Sequence, residues 1–217
     1  MLRIRLAVVL VAFVTSHDAH AKTVREPSLS IETPLTSGEP APRTAHWATA
    51  LGPLVVTNLS TNASSLVRLY ASDGGIDEGS RDGFERVASS DAQPHSLSLR
   101  LEQLIVKAAY RFHSTRIAIV SAFRTSAGKH GTGEAVDFKL DGVRPARLAA
   151  YLRSLPRTGV GIYTHPRTQF VHLDVRTPSY HWIDASPPGT HWREGVLADP
   201  TIAKRDGRWK PEMDLPL

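Results

Sequence analysis

The 217-residue chain contains no cysteine. A disulfide framework and a thiolate metal site are therefore excluded, and any metal must be held by nitrogen and oxygen. Long apolar runs are scarce as well. The stretch Leu6 to Val14 is unbroken, preceded by Arg3 and Arg5 and followed by Ala19-His20-Ala21. It is too short to span a bilayer comfortably. The pattern reads as a secretory signal peptide over residues 1–21, cleaved after Ala21; the competing use of the same run is an uncleaved anchor. No other segment reaches membrane length, so no stable membrane insertion is expected after cleavage, and the expected location is secreted or periplasmic. Neither charge sign dominates. The formal charge is +5, which suits an anionic partner such as nucleic acid, phospholipid or cell-wall polymer without choosing among them. With 41% apolar and 22% charged residues, wholesale disorder and fibrous repeats are excluded.

Large apolar residues are also few between Lys22 and Ala45, where Pro27, Pro34, Pro40 and Pro42 stand among Ser, Thr and Glu. Residues 22–45 read as a flexible Pro-rich linker, which leaves residues 46–217 as the folded domain. Pro53 to Asn58 and Ser65 to Tyr70 are rich in β-branched and apolar residues and predict a β-hairpin. From Ala71 to Pro94 only Phe84 and Val87 offer apolar anchors, and the stretch reads as loop with one helical turn. Leu97, Leu101, Leu104, Ile105, Ala108, Ala109 and Phe112 then recur at helical spacing, one buried face. Ile117 to Val120 predicts a central strand and Gly133 to Leu140 a second. Pro145 opens a second helix carrying Leu148, Tyr151, Leu152 and Leu155, closed by Pro156. Val160 to Tyr163 and Phe170 to Val175 predict two further strands. The last 40 or so residues, rich in Trp, Pro and Asp, read as an irregular wrap around the core.

What is present chemically lies between Ser121 and Asp174. His130 and Asp137 are separated by a segment whose Gly131 and Gly133 let the backbone turn, so that both side chains can reach one point. In Phe170-Val171-His172-Leu173-Asp174-Val175, strand alternation puts His172 and Asp174 on one face and Val171 and Leu173 on the other. Two His and one Asp in such an arrangement suit catalytic zinc, which takes three protein ligands and leaves a position for water. Fe(II) or Mn(II) can use the same donors. Hydrogen bonding or packing is the competing use of the same residues.

Ser121-Ala122-Phe123-Arg124, then His130 with Asp137, then Phe170-Val171-His172-Leu173-Asp174 follow in an order that resembles the zinc D-alanyl-D-alanine peptidases. That family includes D,D-carboxypeptidases, D,D-dipeptidases and murein endopeptidases and shares its fold with the hedgehog signalling domain. More closely, the chain resembles a bacterial subgroup with a glycine-rich His…Asp segment and a Phe-Val-His-x-Asp strand, over roughly Pro53 to Trp182. The resemblance implies an α+β fold with a small central, mainly antiparallel sheet and helices packed on one side. It implies that His130, Asp137 and His172 bind Zn2+, and that Ser121 and Arg124 meet substrate, with the arginine on a carboxylate or the developing oxyanion. The implied activity is hydrolysis of amide bonds in peptidoglycan stem peptides, of D,D-carboxypeptidase or murein endopeptidase type, by a monomer with no nucleic-acid partner.

One departure stands beside the match. Several relatives carry a base as Glu three positions, or His two positions, before the last zinc-binding His, and here those positions hold Gln169 and Phe170. Neither accepts a proton. Asp174 is the expected catalytic base, about 6–7 Å from His172 along the same strand face; its competing role is to orient a metal-binding His. His165 and His181 are alternative bases. Glu134 is expected to point away, since its odd offset from Asp137 puts it on the opposite face. Tyr163, Tyr180, Trp182 and Trp192 are candidate walls of a substrate cleft. The missing Glu or His also keeps a second reading open, a non-catalytic zinc-containing cell-wall-binding module, and a third, a basic polymer-binding domain without metal.

Overall fold

Each strand of the domain sorts its residues between a helix-covered face and an open one, and that sorting places the site. The computed structural model describes residues 45–90, 95–125, 128–190 and 194–217. The signal peptide expected at 1–21 and the linker at 22–45, Ala45 apart, lie outside the described residues, as does Trp192. The elements run α1 (His46–Thr49), β1 (Leu54–Asn58), β2 (Ser64–Val67), α2 (Glu78–Ala88), α3 (Leu99–Arg111), β3 (Arg116–Ser121), β4 (Ala135–Leu140) and α4 (Pro145–Arg153). They continue with β5 (Thr158–Tyr163), β6 (Val171–Val175), β7 (Tyr180–Asp184), β8 (Glu194–Val196) and α5 (Ile202–Asp206), before a 3-10 turn at Pro211–Asp214.

Among the described residues, eight strands form one sheet in the order β2-β1-β3-β4-β6-β5-β7-β8. The β1–β3 and β5–β7 pairs are parallel and the others antiparallel. The fold is the α+β class expected, with a mainly antiparallel sheet, although eight strands make that sheet larger than the small one implied. Ile117, Ile119, Val136, Phe138, Val160, Ile162, Val171 and Leu173 share one core with Phe84 of α2, Leu101, Leu104 and Ile105 of α3 and Leu148 and Leu152 of α4. Full burial of a side chain such as Phe138 is worth about 1.5–3 kcal/mol, so this face carries the fold's stability and leaves the opposite face available for chemistry.

Two expectations need correction. The segment 71–94 is not mainly loop, because α2 occupies Glu78–Ala88. Two large apolar residues suffice there since Phe84 and Val87 are both buried, Asp77 caps the helix by accepting the Ser80 N–H at 2.8 Å, and Arg81 bridges to Glu102 of α3 at 2.9 Å. The C-terminal region is not an irregular wrap either. Its first part supplies β7 and β8, which extend the sheet, and its last part is pinned by Asp206, whose Oδ1 accepts from Arg157 N–H and Ser179 O–H, each at 2.7 Å.

Candidate metal centre

Cross-strand register builds the site as a row on the open face. Ser121 lies opposite Asp137, Asp137 opposite His172, His172 opposite Gly161, and Gly161 opposite Trp182. Ile117 and Ile119 point into the core, so simple alternation would turn Ser121 inward too. A register shift between Ile119 and Ser121 instead brings Ser121 level with Asp137, which is what a β-bulge does to the strand that carries it. Directly paired Cβ atoms lie about 4.5–5.5 Å apart, close enough for Asp137 and His172 to meet end to end. His130 comes from the loop before β4. That loop is tied to the start of α3 by Ser98 N–H donating to Gly133 O at 2.8 Å, and a side chain at Gly133 would place a Cβ 2.2 Å from Ser96 O.

The ligand-type atoms of His130, Asp137 and His172 all lie within 4.8 Å of one another, and all three residues are buried. His130 Nε2 is 3.3 Å from His172 Nδ1 and 3.6 Å from Asp137 Oδ2, and His172 Nδ1 is 2.8 Å from Asp137 Oδ1. The outer nitrogens are occupied. His130 Nδ1–H donates to Ala122 O at 2.7 Å, and His172 Nε2–H donates to Asp174 Oδ2 at 3.0 Å. In the neutral imidazoles those bonds select the tautomers that leave lone pairs on His130 Nε2 and His172 Nδ1, as metal-binding histidines require. The donor set therefore fits a cation chemically as well as spatially. A larger groove of about 600 Å³ over Thr57, Ala118 and Lys139 holds no such convergence, so donor chemistry and not volume marks the site.

Electrostatics agree with the geometry. Burial depresses the His172 imidazolium, but hydrogen bonds to Asp137 and Asp174 and their charges outweigh it and raise its pKa to about 9. Burial holds His130 below the ordinary histidine value despite Asp137. Metal-free protein at neutral pH thus carries a proton between His172 and Asp137 that a metal must displace. Metal affinity should accordingly rise about tenfold per pH unit between pH 6 and 8, readable in competition titrations at fixed ionic strength; a flat profile would falsify this protonation state. The same shift stabilises the metal-free fold below the unfolded histidine value of about 6.5 and ceases to do so as pH climbs through about 9.

Asp174 does not present the base expected of it. It is fully buried, one oxygen holds His172, and both are bound by the Nε and Nη2 of Arg176. Burial would raise its pKa, but the hydrogen bonds from His172 and Arg176 prevail and lower it, which makes it a weak proton acceptor. His181 lies on the wrong face: it pairs with core-facing Val160, and burial together with the charges of Arg205 and Arg153 pulls its pKa to about 4. His165 sits in the β5–β6 turn, its Nδ1 accepting the Arg167 N–H at 3.2 Å, and is not among the residues lining the cleft at the metal site. The Glu134 carboxylate accepts from Lys129 and Thr132, both at 2.8 Å, away from the three donors. Phe170, where relatives place a base, stacks on Tyr163 at 4.3 Å.

A cleft of about 410 Å³ opens beside the donors, walled by Arg124, Lys129, Tyr163, Arg176, Tyr180 and Trp182. Arg124 is half-exposed and stands 3.8 Å from Asp137 Oδ2, a separation at which an exposed pair contributes little, so its guanidinium stays available. Arg176 escaped the sequence reading although one more step of the His172/Asp174 alternation reaches it. Its guanidinium lies over the rings of Tyr180 and Trp182. Gly159 and Gly161 were a further signal, since alternate glycines in a strand mark a close approach. A Cβ at Gly159 would lie 2.2 Å from Asp174 Oδ2, and one at Gly161 2.3 Å from the Trp182 indole.

Residues 84–182 match the family described as Peptidase_M15_2, peptidoglycan L,D-endopeptidase MepK. The similarity over this segment supports a peptidase hydrolase of the M15 type. No curated protein and no solved structure matches the chain. The matched segment contains Ser121, Arg124, His130, Asp137, His172, Asp174, Arg176 and Trp182, so the whole row described above falls within it. M15 peptidases are metal-dependent hydrolases, and the His130, Asp137 and His172 group can hold the metal. Among the described residues no helix is long and apolar enough to cross a membrane.

Proposed function

We propose that the protein is a secreted, zinc-dependent peptidase that hydrolyses amide bonds in the stem peptides of peptidoglycan, outside the cytoplasm. The observation that carries this reading is the convergence of His130 Nε2, His172 Nδ1 and Asp137 with both outer histidine nitrogens already bonded. Two imidazoles and one carboxylate beside an open cleft suit zinc in a catalytic site. Zinc bound there would supply Lewis acidity to the scissile carbonyl and to the attacking water. Residues 1–21 act as the export signal. The description of the matching family favours the endopeptidase form over the carboxypeptidase one.

The chain's own residues divide the work. Asp174 is a positioning residue that holds the His172 ring and its tautomer, and Arg176 holds Asp174 in turn. Arg124 meets the carbonyl oxygen as charge develops, or a substrate carboxylate, through its planar fork. Ser121 offers a hydroxyl in the same row as Asp137 and His172. Tyr163, Tyr180 and Trp182 form the walls against which the peptide lies.

Incubating purified sacculi with the protein, with and without chelator, tests the reading by mass spectrometry of released muropeptides. Chelator-sensitive release is expected; sacculi that are retained but never cut would identify a binding module instead. In the same assay Arg124→Ala should keep its metal and lose about 10²–10³ in rate, the usual cost of one charge-stabilising donor. Lysine at that position should rescue poorly.

A further inference from the structure

Two residues beyond Trp182 on the same face of β7 stands Asp184, and we infer that its carboxylate binds an ammonium group of the substrate in a second pocket adjoining the metal cleft. The inference rests on the peptidase reading above. Asp184 is 4% exposed. One oxygen accepts the Ser186 N–H at 2.6 Å, and among the described residues no Lys, Arg or His side chain forms an ion pair with it. A buried carboxylate ordinarily has a cationic partner, because desolvation is costly without one. Here the carboxylate faces a pocket of about 210 Å³, lined also by Tyr163, Thr168, Phe170 and Ser186. Tyr163 lines this pocket and the metal cleft alike, so the two are neighbours.

Register sets the spacing. Tyr163 pairs with Asp184 as Gly161 pairs with Trp182, which puts Asp184 two residues, about 7 Å, along the sheet from the row that contains His172. The pocket is small against the usual drug-sized cavity of about 300–1,000 Å³ and suits the end of an aminoalkyl side chain. Its aromatic wall, Tyr163 stacked on Phe170 with 25° between the planes, favours a cation over an anion. The substrate class this selects is a stem peptide whose diamino acid keeps a free amine, bound with that ammonium on Asp184 while an amide lies at the metal centre.

The test uses cross-linked muropeptides in native form and after N-acetylation of their free amines, with metal-loaded wild type and Asp184→Asn. Asparagine keeps a carbonyl to accept the Ser186 N–H, so the loop is held while the charge is lost. Wild type should show a KM about 10–100-fold lower for the native probe, the range of one charge-assisted hydrogen bond. Asp184→Asn should erase that preference with metal content unchanged. Equal treatment of both probes by wild type overturns the subsite whether or not the variant folds, and so does a preference that survives in Asp184→Asn. Turnover without preference leaves the peptidase reading standing; no turnover of either probe by metal-loaded wild type overturns that reading and the subsite with it.

Discussion

His172→Ala protein should leave purification with almost none of the wild-type metal and with hydrolysis at background. His172 is the centre of the cluster: Nδ1 faces His130 Nε2 and Asp137 Oδ1, and Nε2 faces Asp174 Oδ2. Its removal takes away a candidate ligand atom and also the group that holds two acids together. Changing partners outside the ligand set commonly costs about 10–100-fold in metal affinity, and loss of a ligand should exceed that. The metal-free protein should be weakened as well. Removing one partner of a buried pair costs about 3–5 kcal/mol, and His172 is only 7% exposed. For a domain of this size each kcal/mol moves Tm by about 2–4 °C, so a fall near 10 °C is expected by calorimetry in chelator. Full metal occupancy in the variant would remove His172 from the ligand set.

Asp174→Asn separates orientation from proton transfer. The amide has nearly the same shape, but it cannot hold His172 Nε2–H with a full charge and cannot pair bidentately with Arg176. Metal affinity should drop about 10–100-fold, and hydrolysis at limiting metal should drop with it. At saturating metal most of the rate should return, because the three candidate ligands themselves are intact. A base would behave differently. Loss of a proton acceptor would leave affinity unchanged and depress kcat at every metal concentration, so a metal titration of the variant decides the role of Asp174 in one series. Arg176 left without its carboxylate should also lower Tm, by less than in His172→Ala, because this guanidinium is partly exposed and water can solvate it.

The open face of the sheet explains why a compact constellation tolerates so many charged groups. Asp137, His172 and Asp174 lie on strands whose other side is wholly apolar, with Arg176 just past the end of β6, and their charges are paired along and across neighbouring rows. Gly159 and Gly161 then leave room for the Asp174–Arg176 pair and for the Trp182 ring, so the glycines of β5 shape the floor on which a peptide would rest.

The sequence by itself determined the helix from Leu99 to Arg111 and the strand carrying His172 and Asp174, whereas the expectation that His130, Asp137 and His172 belong together came from the order of motifs that resembles the zinc peptidases. Those features are local or periodic: a helical stripe and an alternating strand are written in spacing that no distant contact has to supply. Helix α2 was not legible, since two apolar residues gave no stripe and its support comes from Arg81 reaching Glu102 on another helix. Strand β7 was hidden among Trp, Pro and Asp because its partner, β5, is parallel and lies across a connection. Only tertiary structure decided the fate of the candidate bases. Alternation placed His172 and Asp174 on one face correctly, but whether Asp174 met solvent or Arg176, and whether His181 met the cleft or the core, depended on neighbours brought in by sheet pairing. A carboxylate's basicity is set by what touches it, and spacing along the chain carries no record of those contacts.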